Sequence, residues 1–168
     1  ANNLTTLNCN DNQLTSLDVS ANLALTYLNT VGNNQLIFLD VSGATALIDL
    51  DCQNNGLTNL DVSSNTSLTS LLISGNNLST LDISNNVLLT SLVLPYNNIS
   101  YIDISNHLSL QLLSISGTNI TTLDLSNNIN LNVLWMRSSQ LNTLDVSNNI
   151  NLKTLFAPNS QLTSLDLS

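Results

Sequence analysis

Eleven carboxylates and one histidine are the residues of this chain with obvious acid–base chemistry, and all eleven acids are Asp. Eight of them share one register: Asp18, Asp40, Asp61, Asp82, Asp103, Asp124, Asp145 and Asp166, spaced by 22 residues once and by 21 thereafter. Paired carboxylates act as acid and base only where their surroundings push their pKa values apart, and nothing in the sequence distinguishes one of these Asp from the next. Carboxylates one strand spacing apart, about 4.8 Å, repel by roughly 0.9 kcal/mol per pair even in water. Hydrogen bonds from Ser20 and its seven equivalents, each two residues after an Asp, are the expected compensation. Calcium held loosely at Asp82, Asp103 and Asp124 is the lesser alternative, because calcium asks for several oxygens converging from one loop. His107 has no Cys, His or Glu beside it and reads as a structural substitute. With a single His, nucleophilic triads are unavailable. No phosphate-cradling loop, GxSxG or HExxH pattern occurs. The chain reads as a non-enzyme without a cofactor.

Cys9 and Cys52 stand two repeats apart, which in stacked strands is roughly 10 Å. A disulfide needs Cα atoms within about 7 Å, so both are expected to be buried free thiols packing as small hydrophobes. The aromatic and cationic residues are few and clustered: Trp135, Phe156, Arg137 and Lys153 fall in two adjacent repeats, with Tyr96, Pro95 and Pro158 nearby.

The elements that must position these groups follow from the repeat. Leu-Asp-Val-Ser, or a close variant, recurs eight times from Leu17–Ser20 to Leu165–Ser168. Interleaved with it is LxxLxLxxNxL, met in full at Leu47–Leu57, where Leu50 and Cys52 lie two apart with strand periodicity. About ten residues remain after each such signature. They alternate with period two and show no helical period. The expected fold is therefore a β-rich solenoid of eight parallel turns, with short strands on both sides and little or no α-helix, about 38 Å long at one strand spacing per turn. The 22-residue step places one extra residue as a bulge within Val31–Gln35.

Asn12, Asn55, Asn76 and Asn97 are expected to form an inward ladder, since a buried amide offers both donors and acceptors to backbone groups stranded in a sharp turn. Thr118, Ser139 and Ser160 take that position later. A second column, Asn22, Asn65, Asn86, Asn128 and Asn149, follows the Asp segment and is broken by Ala44 and His107. The outward strand positions carry the individuality. One column reads Asn8, Asn29, Asp51, Leu72, Val93, Ser114, Trp135, Phe156; the other reads Thr6, Tyr27, Asp49, Ser70, Ser91, Leu112, Val133, Thr154. The face thus runs from polar and acidic to apolar and aromatic. Exposed aromatics beside an Arg have hot-spot composition, and an exposed apolar patch often marks an interaction site. The candidate ligand strip is Trp135, Phe156, Arg137, Lys153, Val133, Leu112, Val93, Leu72 and Tyr96.

Composition limits the partners. Net charge is −9, with one Lys and one Arg. Phosphate binding needs clustered cations, so nucleic acid and anionic lipid are excluded. The longest apolar runs are a few residues, too short for insertion into a membrane as a helix. The opening Ala1-Asn2-Asn3 shows no leader signature. Both ends fall within repeats without the atypical capping turns that solenoids use, so residues 1–168 read as one domain that is a segment of a longer array, packed against other domains or turns of the same chain.

These repeats resemble those of bacterial cell-surface leucine-rich-repeat proteins with 21-residue units, the internalin J-type surface adhesins. Their consensus, close to LTxLDVSxNxxLTxLxCxxNxL, is met by Leu14-Thr15-Ser16-Leu17-Asp18-Val19-Ser20-x-Asn22, with Cys9 and Cys52 at its Cys position. The family's Cys ladder has drifted here to Ile73, Leu94, Ile115, Met136 and Ala157. The resemblance implies a secreted or surface-anchored bacterial protein that binds a protein or glycan on another cell or matrix through its concave face. A structural spacer or filament segment of a larger surface protein is the alternative. Ice binding is a weaker one, opposed by the charged Asp column.

Overall fold

A computed structural model describes residues 3–168; Ala1 and Asn2, on which part of the reading of the opening segment rested, lie outside them. The described residues form twelve three-residue strands and no helix. In chain order these are β1 (Thr6–Asn8), β2 (Ser16–Asp18), β3 (Tyr27–Asn29), β4 (Phe38–Asp40), β5 (Asp49–Asp51), β6 (Ser70–Leu72), β7 (Ser91–Val93), β8 (Leu112–Ser114), β9 (Val133–Trp135), β10 (Thr143–Asp145), β11 (Thr154–Phe156) and β12 (Ser164–Asp166). Eight of them, β1-β3-β5-β6-β7-β8-β9-β11, make one parallel sheet with one strand per turn. Each central Leu faces inward and registers with the next, Leu7 through Leu155.

The second side differs from the expectation of strands throughout. Only the end turns pair there, β2 with β4 and β10 with β12. In the four middle turns the Asp segments form no ladder. The sheet is continuous on one side, whereas the other side pairs only in its end turns. The eight-stranded sheet is the face expected to be concave, and the Asp column lies on the opposite face, expected to be convex.

The core is aliphatic and continuous. Leu28, Leu50, Leu71, Leu92, Leu113 and Leu134 are all fully buried, as is Cys52. Each such side chain contributes roughly 1.5–3 kcal/mol by leaving water. Cys9 is the exception to the expected pair of buried thiols: it is free, like Cys52, but only half-buried, because it lies in the first turn with no described turn before it. At the other end Leu165 and Leu167 are exposed.

The amide ladder forms as expected across the middle. Asn76 donates to the carbonyls of Cys52 (2.8 Å) and Ile73 (3.0 Å), and its Oδ1 accepts from Leu57 N (3.1 Å). Asn97 repeats this one turn on. Asn12 departs from expectation: it is exposed and bonds only carbonyls of its own turn, Cys9 and Asn10. The ladder also includes Asn33, fully buried and bonded to the carbonyls of Cys9 and Thr30. Register with the next turn places the extra residue at 34–35: Asn33 N donates to Asn55 Oδ1, 22 residues on, while Gly56 N reaches Leu36 O, 20 residues back. From Thr118 onward a hydroxyl does the work, and Thr118 Oγ1 makes one bond, to Ile115 O at 2.8 Å.

In the second column Asn65, Asn86, Asn128 and Asn149 each donate to two carbonyls of the preceding turns. Ala44 lacks that spacer, and the adjoining Gly43 closes on Ser20. A Cβ at Gly43 would lie 1.7 Å from Ser20 O. Gly43 and Ala44 are a matched pair that lets the second turn settle onto the first.

Candidate functional site

The residue before each ladder position is left-handed in every turn: Asp11, Gly32, Asn54, Gly75, Tyr96, Gly117, Ser138 and Asn159 all have positive φ. Gly, Asn and Asp adopt this conformation readily, whereas a bulky side chain pays about 1–2 kcal/mol for it. Tyr96, at φ 56°, is the conspicuous misfit. Its ring lies over Gly117 of the next turn, where a Cβ would come within 2.9 Å of Tyr96 Cδ1. A strained Tyr accommodated by a Gly one turn away is set in place, and what it borders is the aromatic end of the concave sheet.

There, Pro95, Tyr96, Ser114, Ser116, Trp135, Arg137 and Phe156 line a single hollow of about 420 Å³. Register explains the assembly. Trp135 pairs with Phe156 on one side and with Ser114 on the other. Ser114 is buried between larger neighbours and forms the floor. Trp135 is 43% exposed, Phe156 50% and Tyr96 64%. Arg137 N donates to Ser116 Oγ at 3.0 Å, tying the cation's backbone to the hollow's lower edge.

Of the strip read from sequence, Trp135, Phe156, Arg137 and Tyr96 meet at this hollow. Leu72 and Val93 continue the Trp135 column toward the N-terminal end, and Leu112 and Val133 form the neighbouring column. All four are half-buried. Lys153 is exposed just before β11 and does not line the hollow. Sequence reasoning did not give Ser114, Ser116 and Gly117 a part in it. Their signal was a small residue opposite a large one in the next turn, visible only once the register is known.

The convex Asp column is resolved chemically. All eight Asp accept a hydrogen bond through Oδ1 from the backbone N–H of the Ser two residues on, at 2.8–3.0 Å. Bonds from these Ser hold Asp18, Asp61, Asp82, Asp103, Asp124 and Asp166 below the usual carboxylate range. Repulsion from Asp61 on Asp82, and from Asp103 on Asp124, is the smallest of the contributions. Among the described residues no three His, Cys, Asp or Glu side chains are grouped so as to hold a metal ion. His107 is buried, its Nε2 lying 3.2 Å from Ile83 O, and burial pulls its pKa below the ordinary value.

Neither a family model nor a curated protein sequence matches the chain. Solved structures do. A leucine-rich-repeat protein of Leptospira interrogans superposes with a TM-score of 0.87 at 26% identity, over 95% of this chain and 44% of that one. The functional domain of InlJ from Listeria monocytogenes, described as including a cysteine ladder, matches at 27% identity and TM-score 0.66, over 99% of this chain and 54% of that one. The chain is a leucine-rich-repeat solenoid, similar to these bacterial proteins. An internalin, inlF, of Listeria monocytogenes shares the fold at 20% identity and TM-score 0.61, over 97% of this chain and 66% of its own. This solenoid therefore spans about half the length of the first two chains it matches. In this chain Cys9 and Cys52 share one repeat position with Thr30, Ile73, Leu94, Ile115, Met136 and Ala157.

Proposed function

We propose that this solenoid is a non-catalytic binding or adhesion module of a bacterial cell surface or secreted protein, engaging a protein or glycan partner through the aromatic end of its concave sheet. One observation carries the reading: Tyr96, Trp135, Phe156 and Arg137, none needed for the repeat, converge on one hollow, and one of them is held there at a backbone cost. Similarity to internalin-like proteins supports a binding role in general. Contacts that anchor interfaces are typically Trp, Tyr and Arg in desolvated pockets, each worth about 2 kcal/mol or more.

The test uses immobilised extracellular-matrix proteins and cell-surface glycoproteins, the latter with and without enzymatic deglycosylation. A surface that binds the wild-type protein is then offered Trp135→Ala and Phe156→Ala. Each substitution should weaken binding at least tenfold without lowering the melting temperature, because both side chains are substantially exposed. Undiminished affinity in both variants would remove the hollow as the site. Loss of binding on deglycosylation assigns the partner as glycan, and retention assigns it as protein.

A further inference from the structure

The concave face is charged as well as apolar, and its charges are sorted along the solenoid axis. Asp49 and Asp51 both project from β5 on the outward side, half-buried in the sheet. Two residues apart on one strand, they lie about 6.8 Å from each other. Their surroundings differ from those of the convex Asp, each of which is capped by its own Ser. Asp51 Oδ1 accepts from Gln53, through backbone N at 3.3 Å and Nε2 at 3.0 Å. Both bonds come from a neutral residue. The only cations of the chain, Arg137 and Lys153, belong to turns four and five strands further along the sheet. Among the described residues, therefore, no cation neutralises the carboxylate pair. Between the two ends, the Leu72–Val93 and Leu112–Val133 columns form an uncharged apolar rail.

We propose that this face receives an extended segment of a partner protein lying along the solenoid axis, with an apolar anchor side chain in the Trp135 hollow and a Lys or Arg over Asp49 and Asp51. This rests on the reading of the concave face given above, and it adds the partner's class and direction. Charge complementarity carries it. Half-buried carboxylates have already lost part of their hydration, so a partner cation gains more there than over the solvated convex Asp, and like-charged partners are turned away. Asp51 and Trp135 are four strands apart, about 19 Å, which an extended chain covers in roughly six residues. The segment that fits has its cation about six residues from its aromatic or aliphatic anchor.

The experiment uses two synthetic eight-residue peptides in which Trp and a charged pair are separated by five Ser and Gly residues, the pair being Lys-Lys in one and Glu-Glu in the other. Binding is measured by calorimetry at low and at physiological salt to the wild-type protein, to Asp49→Asn/Asp51→Asn, to Asp82→Asn/Asp103→Asn and to Trp135→Ala. The Lys peptide should bind the wild type at least tenfold more tightly than the Glu peptide at low salt, with the preference shrinking as salt rises. Asp49→Asn/Asp51→Asn should abolish the preference. Asp82→Asn/Asp103→Asn, which removes equal charge from the convex face, should leave it intact. Circular dichroism checks that each variant folds, and Asp49→Ser, matching Ser70 at the same register of β6, serves as the milder substitution. Equal binding of the two peptides, or a preference that survives loss of Asp49 and Asp51, overturns the charge assignment while Trp135-dependent binding persists. Binding of both peptides that ignores Trp135→Ala overturns the concave-face reading itself, and with it this inference. Failure of both peptides to bind overturns the extended-segment assignment.

Discussion

At His107 an imidazole makes one hydrogen bond where the Asn residues of the same column make two. Its Nε2 meets the Ile83 carbonyl, which can only accept, so Nε2 carries a proton, while the buried Nδ1 has no partner to hold a second one. Burial lowers its pKa from the ordinary 6.5, whereas the unfolded chain keeps about 6.5. The unfolded state therefore binds the proton first as the pH drops. Stability that is complete above about 6.5 is lost as the pH falls through the lower folded value. His107→Asn should remove this step and, by restoring the second bond, raise stability by about 1 kcal/mol. The capped Asp titrate lower: their stabilisation is present above 3.8 and fades as the pH falls further, so it should survive in the variant. Thermal melts from pH 8 to 3 check both statements. An unchanged profile below pH 6.5 in His107→Asn would contradict the first. The sequence announced His107 as a stand-in for Asn, but the cost of the exchange depends on which carbonyls face it, and those come from turns 21 and 24 residues away.

The amide ladder sets the energetics of the individual turns. Asn76 makes three buried bonds that join its own turn to the one before. Asn76→Ala strands the buried Leu57 N–H and leaves the Cys52 and Ile73 carbonyls with one bond each, from Asn55 and Asn97, and should cost about 2 kcal/mol or more. Asn12 occupies the same place in the repeat but is exposed, so water replaces what Asn12→Ala removes and the loss should stay under about 1 kcal/mol. Chemical denaturation separates the two, and equal losses would show that burial does not govern the ladder. At this scale most of the structure was legible. The Leu spacing gave the strands of the continuous sheet, their parallel register and an extra residue within Val31–Gln35, which the structure narrows to 34–35, because side-chain alternation leaves a strand little choice of face. Two things were not. Asn33 is the ninth residue counted from Leu25, but the displaced Leu36 hides the match. The missing ladders of the middle Asp segments were not legible either, since the four segments carry the same Leu-Asp-Val-Ser pattern, or a close variant, as the end turns that do pair.

Across the whole molecule, two faces divide the work. On the convex face the charges are answered turn by turn by Ser, although Phe38 and Tyr101 also stand exposed there. The concave face is where the turns differ from one another, and the differences accumulate toward Tyr96, Trp135 and Phe156. The sequence located that individuality to two outward columns. The hollow itself was hidden, since it needs Ser114 as a floor, Gly117 beneath Tyr96 and turns brought together by register. Because each turn of a solenoid touches only its neighbours, changes in these exposed positions should alter recognition while leaving the core layers intact. Trp135 is the only Trp in the chain, so its fluorescence reports on the hollow alone. The most direct measurement is its emission and acrylamide quenching during titration with a bound surface protein or glycan found in the adhesion assay, itself lacking Trp. A shift to shorter wavelength and loss of quenching at saturation are expected. Saturable binding that leaves both unchanged would contradict the assignment of the aromatic hollow as the recognition surface.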